Sequence, residues 1–401
     1  MFAFATLSCF AQADDAEVLH YWQPDDTGTA LLKDILRKQG HEWKDFVVLP
    51  GGKNGLLNGL LKARILSGNP PFAAVIRAPV ARDWGRAGSL TNLDDISASG
   101  KWDSVLPRAV RDAVKDRGHY IAVPINMYQE NGLWVNNRLL KRVGADVPHD
   151  WPGFFAVADK LRQAGIVALA HGGQQRGNLH LFASVALGVG GPQFYRRAFV
   201  SRDPAALSGR QMEQVLQTFR RVKSYVRPRV EQLNWPDVSR DVIDGKAAMV
   251  FIGGWTGPMF EAEHARTGFD FSCVPAPGTG GAFAYVIDSF ALFGSRNPGT
   301  TRAQKDFAAS VLSPEVQVSF NRERGSIPAR FDVDLGTFHP CQKQAAAAFR
   351  KAEENDTLVP SFAIAVPADT EVALAEAVTA FWADDSMSTR TAMARIATAL
   401  K

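Results

Sequence analysis

The segment EVLHYWQPDD, residues 17–26, sets two large aromatic rings, Tyr21 and Trp22, beside two carboxylates, Asp25 and Asp26. Rings of that size are costly to leave in water, so they belong either to a core or to a ligand cleft. In a cleft a ring offers a flat apolar face and a carboxylate accepts hydrogen bonds. Paired carboxylates also serve glycoside hydrolysis, but nothing in the spacing sets Asp25, Asp26 and Asp288 at the separation that reaction needs. No catalytic residue is assigned. The eight histidines form no HExxH or His-x-Cys cluster and the cysteines no CxxC pair, so neither a metal nor a cofactor is expected. PGGKNG (50–55) lacks P-loop spacing and no GxSxG occurs. GVGGP (188–192) lacks the third glycine of a dinucleotide fingerprint and trails an apolar helical run, so it reads as a turn.

These residues need elements to hold them. Residues 18–22 alternate as a strand, and Thr27 opens a helix whose Leu31, Leu32, Ile35 and Leu36 share one face before Gly40 stops it. The pattern recurs as a strand at 46–49, a glycine-rich loop, a helix at about 54–67 and a strand at 73–77. Such alternation predicts an α/β fold with a parallel, right-handed sheet. Ligands of these sheets lie beyond the carboxyl ends of the strands. Tyr21 with Trp22, the loop Pro50–Lys53, and Arg77 stand at three such ends and are expected to face one crevice. A second α/β unit is expected to open near residue 127, with a helix at 151–165, the strand IVALAHGG, helical patterns at 206–225 and 238–246, and strands at 247–255 and 284–293. Helices at 301–312 and 369–400 follow.

At 401 residues, 46 % hydrophobic and 21 % charged, the chain has room for two globular domains and lacks the composition of disorder. Its net charge of +4 is spread along the chain with no basic block interleaved with aromatics, so no nucleic-acid partner is expected. FAFATLSCFA (2–11), running into Ala11-Gln12-Ala13, reads as the end of a secretory signal peptide cut before Asp14. Residues 1–13, Cys9 among them, then leave with the leader and the mature chain is exported; the other reading of this run is an N-terminal core strand. Cys273 and Cys341 remain. In an exported chain they either form one disulfide, worth roughly 4 kcal/mol for so long a loop, or stay as two buried thiols.

With EVLHYW, SGNPPFAAVIRAP, GHYIAVPIN, IVALAHGGQ, GKAAMVFIGGW, CVPAPGT, DSFALF and RGSIPAR in this order, the chain resembles the extracellular solute-binding proteins of sugar ABC transporters. It looks most like the periplasmic glucose-binding proteins of Gram-negative bacteria, over residues 14–401. The resemblance implies a two-lobed α/β periplasmic-binding-protein fold with a hinge and a ligand cleft between the lobes. Residues 14–125 and 286–335 would form one lobe, and 126–285 and 336–401 the other. It also implies that Tyr21 and Trp22 stack on a sugar ring, that Trp255 faces them from the second lobe, and that Asp288 accepts from two adjacent hydroxyls. Asp25, Asp26, Arg77, Asn126, Tyr128 and Arg324 complete the implied site. The chain departs from the glucose binders where Arg77 and Arg324 replace lysine, Thr27 replaces glutamate and Ile364 replaces histidine. Positions near Tyr128, Gly132 and Arg176 also lack the usual histidine or tryptophan. The expected ligand is therefore a shifted one: another aldose, a disaccharide, or an acidic sugar whose carboxylate pairs with Arg77 or Arg324. The expected partner is an ABC transporter permease, or a membrane sensor kinase if the chain senses instead of delivering. The chain is expected to act as a monomer, and a sugar-active enzyme on the same scaffold is the remaining alternative.

Overall fold

A computed structural model describes residues 14–22, 27–48, 56–227, 232–262, 266–295 and 297–401. The leader, Asp25, Asp26 and the loop Pro50–Lys53 lie outside the described residues. The strands that build the two sheets are β1 (Asp14–His20), β2 (His41–Val47), β3 (Ala73–Ile76), β4 (Val123–Gln129), β5 (Gly132–Asn136), β6 (Val167–Ala170), β7 (Ala247–Phe251), β8 (Phe271–Pro275), β9 (Phe283–Leu292), β10 (Ile327–Pro328) and β11 (Leu358–Pro360).

The first three strands pair in the order β2-β1-β3, all parallel, as β–α alternation requires. Every residue of β3 is at most 2 % exposed, which is why its sequence is continuously apolar. The long strand β9 then returns antiparallel to β3 on one edge and to β4 on the other, with β10 beyond β4. The short β11 runs parallel to the first residues of β9, completing a mixed seven-stranded sheet. A separate four-stranded sheet has the order β8-β5-β7-β6. Each sheet carries its own large hydrophobic core, giving two lobes. The chain passes between the sheets from β4 to β5, from β8 to β9, and again after β11.

The helices used below are α1 (Thr27–Lys38), α2 (Leu56–Leu66), α3 (Trp151–Gln163), α4 (Gln175–Tyr195), α5 (Pro314–Arg324), α6 (Pro340–Glu354), α7 (Ala368–Ala383) and α8 (Thr389–Ala399). Their starts are written in the sequence. Asp150 accepts from the Gly153 amide at 2.7 Å and Ser313 from the Val316 amide at 3.3 Å, each with a proline in the first turn. His339 and Gln342 cap α6 reciprocally. GVGGP breaks the helical run of α4 near its end, as the turn reading expects: Gly191 takes a left-handed φ of 75° ahead of Pro192. One expectation differs from the structure. Helix α6 and strand β11 join the seven-stranded sheet, not the smaller one with which the sequence reading groups residues 336–401: Ala346, Phe349 and Ala352 lie in the larger sheet's core.

Candidate ligand-binding cleft

Asp288 sits in β9 where its pairing with β4 slips: Asp288 faces Asn126 while Ser289 faces Pro124, leaving Ile125 as the extra residue of a bulge. Pro124 has no amide hydrogen to place in a ladder, and a bulge re-aims the side chains around it. The Asp288 carboxylate is 5 % exposed. One oxygen accepts the Tyr21 hydroxyl and the other accepts Trp22 Nε1 at 3.4 Å. The Asp288 amide donates to Asn126 Oδ1 at 3.3 Å. Asn126 Nδ2 donates to the Tyr128 hydroxyl at 3.4 Å, and that same oxygen accepts Arg324 Nε at 3.3 Å.

This network separates the residues singled out from sequence into two groups. Trp22, 3 % exposed, packs against Phe290 and Phe320 with ring centroids 5.6 and 5.5 Å away, and the Arg324 guanidinium lies 4.6 Å from its centroid. Stacking of Trp22 on a ligand does not fit this placement, because the ring is committed to the lobe interior and only its N–H reaches Asp288. Asn126 and Tyr128 are buried as well and hold Asp288 from behind. Burial lowers the Arg324 pKa to about 9, which leaves its guanidinium charged at neutral pH. Tyr21, Arg77 and Trp255 instead retain accessible surface and border the space between the lobes. The Arg77 guanidinium lies 5.4 Å over the Tyr21 ring. Burial, and then the charge of Asp288, push the Tyr21 hydroxyl above its ordinary range, so it stays a neutral donor.

Trp255 occupies the turn Gly254–Thr256 just after β7. It meets Tyr128 of the other lobe edge-on at 5.7 Å and His180 of α4 at 5.5 Å. A Cβ on Gly253 would fall 2.2 Å from the Trp255 ring, so only glycine lets the indole lie against the backbone here.

Sequence reasoning missed five residues that the fold brings to the same space: Glu130, Arg176, His180, Tyr195 and Glu371. Arg77 and Glu130 lie within electrostatic reach of each other and each within reach of Glu371 and Asp288, and Arg176 lies within reach of Arg77, Glu130 and Glu371. Burial opposes the charge on Arg77, but Tyr21, Glu371, Asp288 and Glu130 outweigh it and hold the guanidinium above its ordinary range. Burial raises the Glu130 carboxyl to about 7, against the pull of Arg77 and Arg176 and helped by Glu371 and Asp288. Burial, then Arg176 and His171, depress His180 to about 3, so its imidazole is neutral. Arg176 is exposed, yet the surrounding walls still lower its pKa; the water it meets is that of a walled cleft. Among the described residues the side chains of Arg77, Glu130, Arg176 and Glu371 make no hydrogen bond or ion pair. Arg77 Nε, His180 Nε2 and Tyr195 Oη are buried without a hydrogen-bond partner.

A signal existed for two of the five. Glu130 directly follows β4, and Arg176 lies in the first turn of α4, just past the loop after β6, so the strand-end rule applied to these strands reaches both. Tyr195 and Glu371 are delivered by helix packing, which leaves no local mark. No group of three or more His, Cys, Asp or Glu side chains among the described residues is placed to hold a metal ion. No described helix is long and apolar enough to cross a membrane.

The sequence profile of the bacterial extracellular solute-binding proteins matches residues 45–351. A protein of Rhizobium meliloti (strain 1021) named "Probable sugar-binding periplasmic protein" is 36 % identical over 371 residues, spanning 92 % of this chain and 89 % of its own. A protein of Brucella suis with the same name is 35 % identical over 92 % of this chain and 88 % of its own. Among solved structures, one described as a chitin oligosaccharide binding protein superposes with a TM-score of 0.83 at 18 % identity, covering 97 % of this chain and 98 % of that one. That likeness is one of fold.

Proposed function

The chain belongs to the bacterial extracellular solute-binding protein family, and from that premise we propose that it is a periplasmic receptor that captures a sugar between its two lobes and delivers it to an ABC transporter. A family of binding proteins gives it a binding role, not a catalytic one. The observation that carries the sugar reading is Asp288, a buried carboxylate oriented by Tyr21 and Trp22 that keeps lone pairs for ligand hydroxyls. The names of the Rhizobium and Brucella relatives support it. Trp255 supplies an apolar face for the C–H side of a sugar ring, and the unpaired Arg77 Nε supplies a donor and His180 Nε2 a donor or acceptor for its hydroxyls. A sugar acid fits less well than a neutral sugar, because Glu371, Asp288 and Glu130 already face Arg77 and a further anion would meet their repulsion.

In this reading Tyr21, Arg77, Trp255 and Asp288 touch the ligand, while Trp22, Asn126, Tyr128 and Arg324 position Asp288. Asp25 and Asp26 remain proposed ligand contacts. One lobe comprises 14–129 and 283–335 with α6 and β11, and the other 130–282 with the rest of 336–401. The leader is removed before Asp14, and the mature chain works as a monomer. A ligand touching both lobes draws them together by mass action.

The test is a thermal-shift screen of the chain from Asp14 against neutral mono- and oligosaccharides and uronic acids, followed by calorimetry. A ligand at a hundred times its dissociation constant adds roughly 2.7 kcal/mol of stability. A shift with neutral sugars that is lost in Trp255→Ala supports the receptor. Folded protein that responds to no sugar refutes it.

A further inference from the structure

Cys273 and Cys341 are bonded, with their Cα atoms 6.0 Å apart and 68 residues of separation. The two ends of this bond belong to different lobes. Cys273 lies in β8 of the smaller sheet, opposite Trp134 of β5 and two residues before Pro275, where the chain leaves for β9. Cys341 lies in the first turn of α6, whose body is fixed to the larger sheet by Ala346, Phe349 and Ala352. The next residue strengthens that attachment: Gln342 Nε2 donates to the carbonyls of Asn321 at 2.7 Å and Ser326 at 2.9 Å.

We propose that the Cys273–Cys341 bond is a fourth covalent link between the lobes, set beside the three chain crossings, and that it restricts how far the cleft opens. The contacts around it are weaker than a bond. His339 Nε2 meets Thr267 Oγ1 at 2.9 Å, and the His339 ring stacks on Phe271 at 6.2 Å. A hollow lined by Gln129, Trp134, Cys273, Gly325, Cys341 and Ala345 runs alongside, so the lobes are not packed seamlessly at this point. Lobe opening in proteins of this architecture is a near-rigid rotation about the crossing segments. A tether two residues from one of those crossings removes rotations that would part β8 from α6 while leaving bending about the crossings themselves.

Both cysteines retain some solvent access, so the bond can be reduced in the folded protein. The test compares unliganded native protein, native protein reduced with TCEP and confirmed by thiol titration, and the Cys273→Ser/Cys341→Ser variant, using small-angle X-ray scattering and circular dichroism. The expected result is unchanged secondary structure with a larger radius of gyration and a longer maximum dimension in both untethered forms. Superimposable scattering from all three would overturn the proposal. So would loss of secondary structure in both untethered forms, since the bond would then hold the fold and not the opening. If the serine variant alone unfolds, the reduced native protein decides between these outcomes.

Discussion

Replacing Glu130 with glutamine should stabilise the ligand-free protein at alkaline pH and leave it nearly unchanged in acid. The carboxyl has a folded pKa of about 7 against an ordinary value of 4.5. Between those values the native state holds a proton that the unfolded chain has released, so stability falls as pH rises through that window and levels off above it. The interval from 4.5 to about 7 is about 2.5 units, or about 3.4 kcal/mol at 1.36 kcal/mol per unit. Glu130 keeps partial solvent access in the cleft, and screening by that water brings the expected effect to about 1–2 kcal/mol. The neutral amide lacks the penalty at any pH. Urea unfolding of both proteins at about pH 5 and about pH 8 measures the difference directly. Wild type should lose about 1–2 kcal/mol relative to Glu130→Gln between the two conditions. A gap between the two proteins that does not change with pH would mean that Glu130 is solvated like a surface carboxylate, and the electrostatic description of the cleft would fall with it.

The two tryptophans of the site, Trp22 and Trp255, should separate cleanly. Trp22→Ala removes a packed core ring and is expected to cost about 3–5 kcal/mol in chemical unfolding, whereas Trp255→Ala should leave the protein folded and abolish its thermal response to sugar. Asp288→Asn keeps the shape but removes the charged acceptor, and calorimetry with a sugar from the screen should show binding about 10- to 100-fold weaker; unchanged affinity would place the ligand elsewhere. Removing the disulfide by Cys273→Ser/Cys341→Ser releases a 68-residue loop. The chain-entropy relation puts the loss at about 4 kcal/mol, which for a chain this long lowers the melting temperature by about 5 °C in calorimetry.

What could be read from the sequence follows from how local the cause is. Tyr21 and Arg77 share a cleft edge because each ends a parallel strand, and parallel β–α order is written in hydrophobic periodicity. Trp22 shows the limit of that rule. It follows the same strand, but packing by Phe290 and Phe320, nearly three hundred positions away in the chain, turns its ring inward, and no local pattern encodes that. The bulge at Asp288 needs Pro124 and Ser289 brought together across β4 and β9. Glu371 reaches the cleft only because α7 packs back onto the second lobe after the last crossing. The return of β9 to the first sheet is likewise a long-range pairing, available from the family resemblance and absent from periodicity. The cysteine pair was legible as a possibility, since two thiols in an exported chain have few other fates. That it joins two lobes depends on where α6 packs.

The bond between Cys273 and Cys341 also turns residues 273–341 into a closed ring of chain. That ring contains β9 with Asp288, and Arg324 at the end of α5. A single cut by a protease anywhere inside it cannot release a fragment: the nicked molecule stays in one covalent piece and migrates as one band until a reductant divides it. The part of the chain that carries the central carboxylate is thereby secured at both ends, to the smaller sheet through Cys273 and to the larger through Cys341.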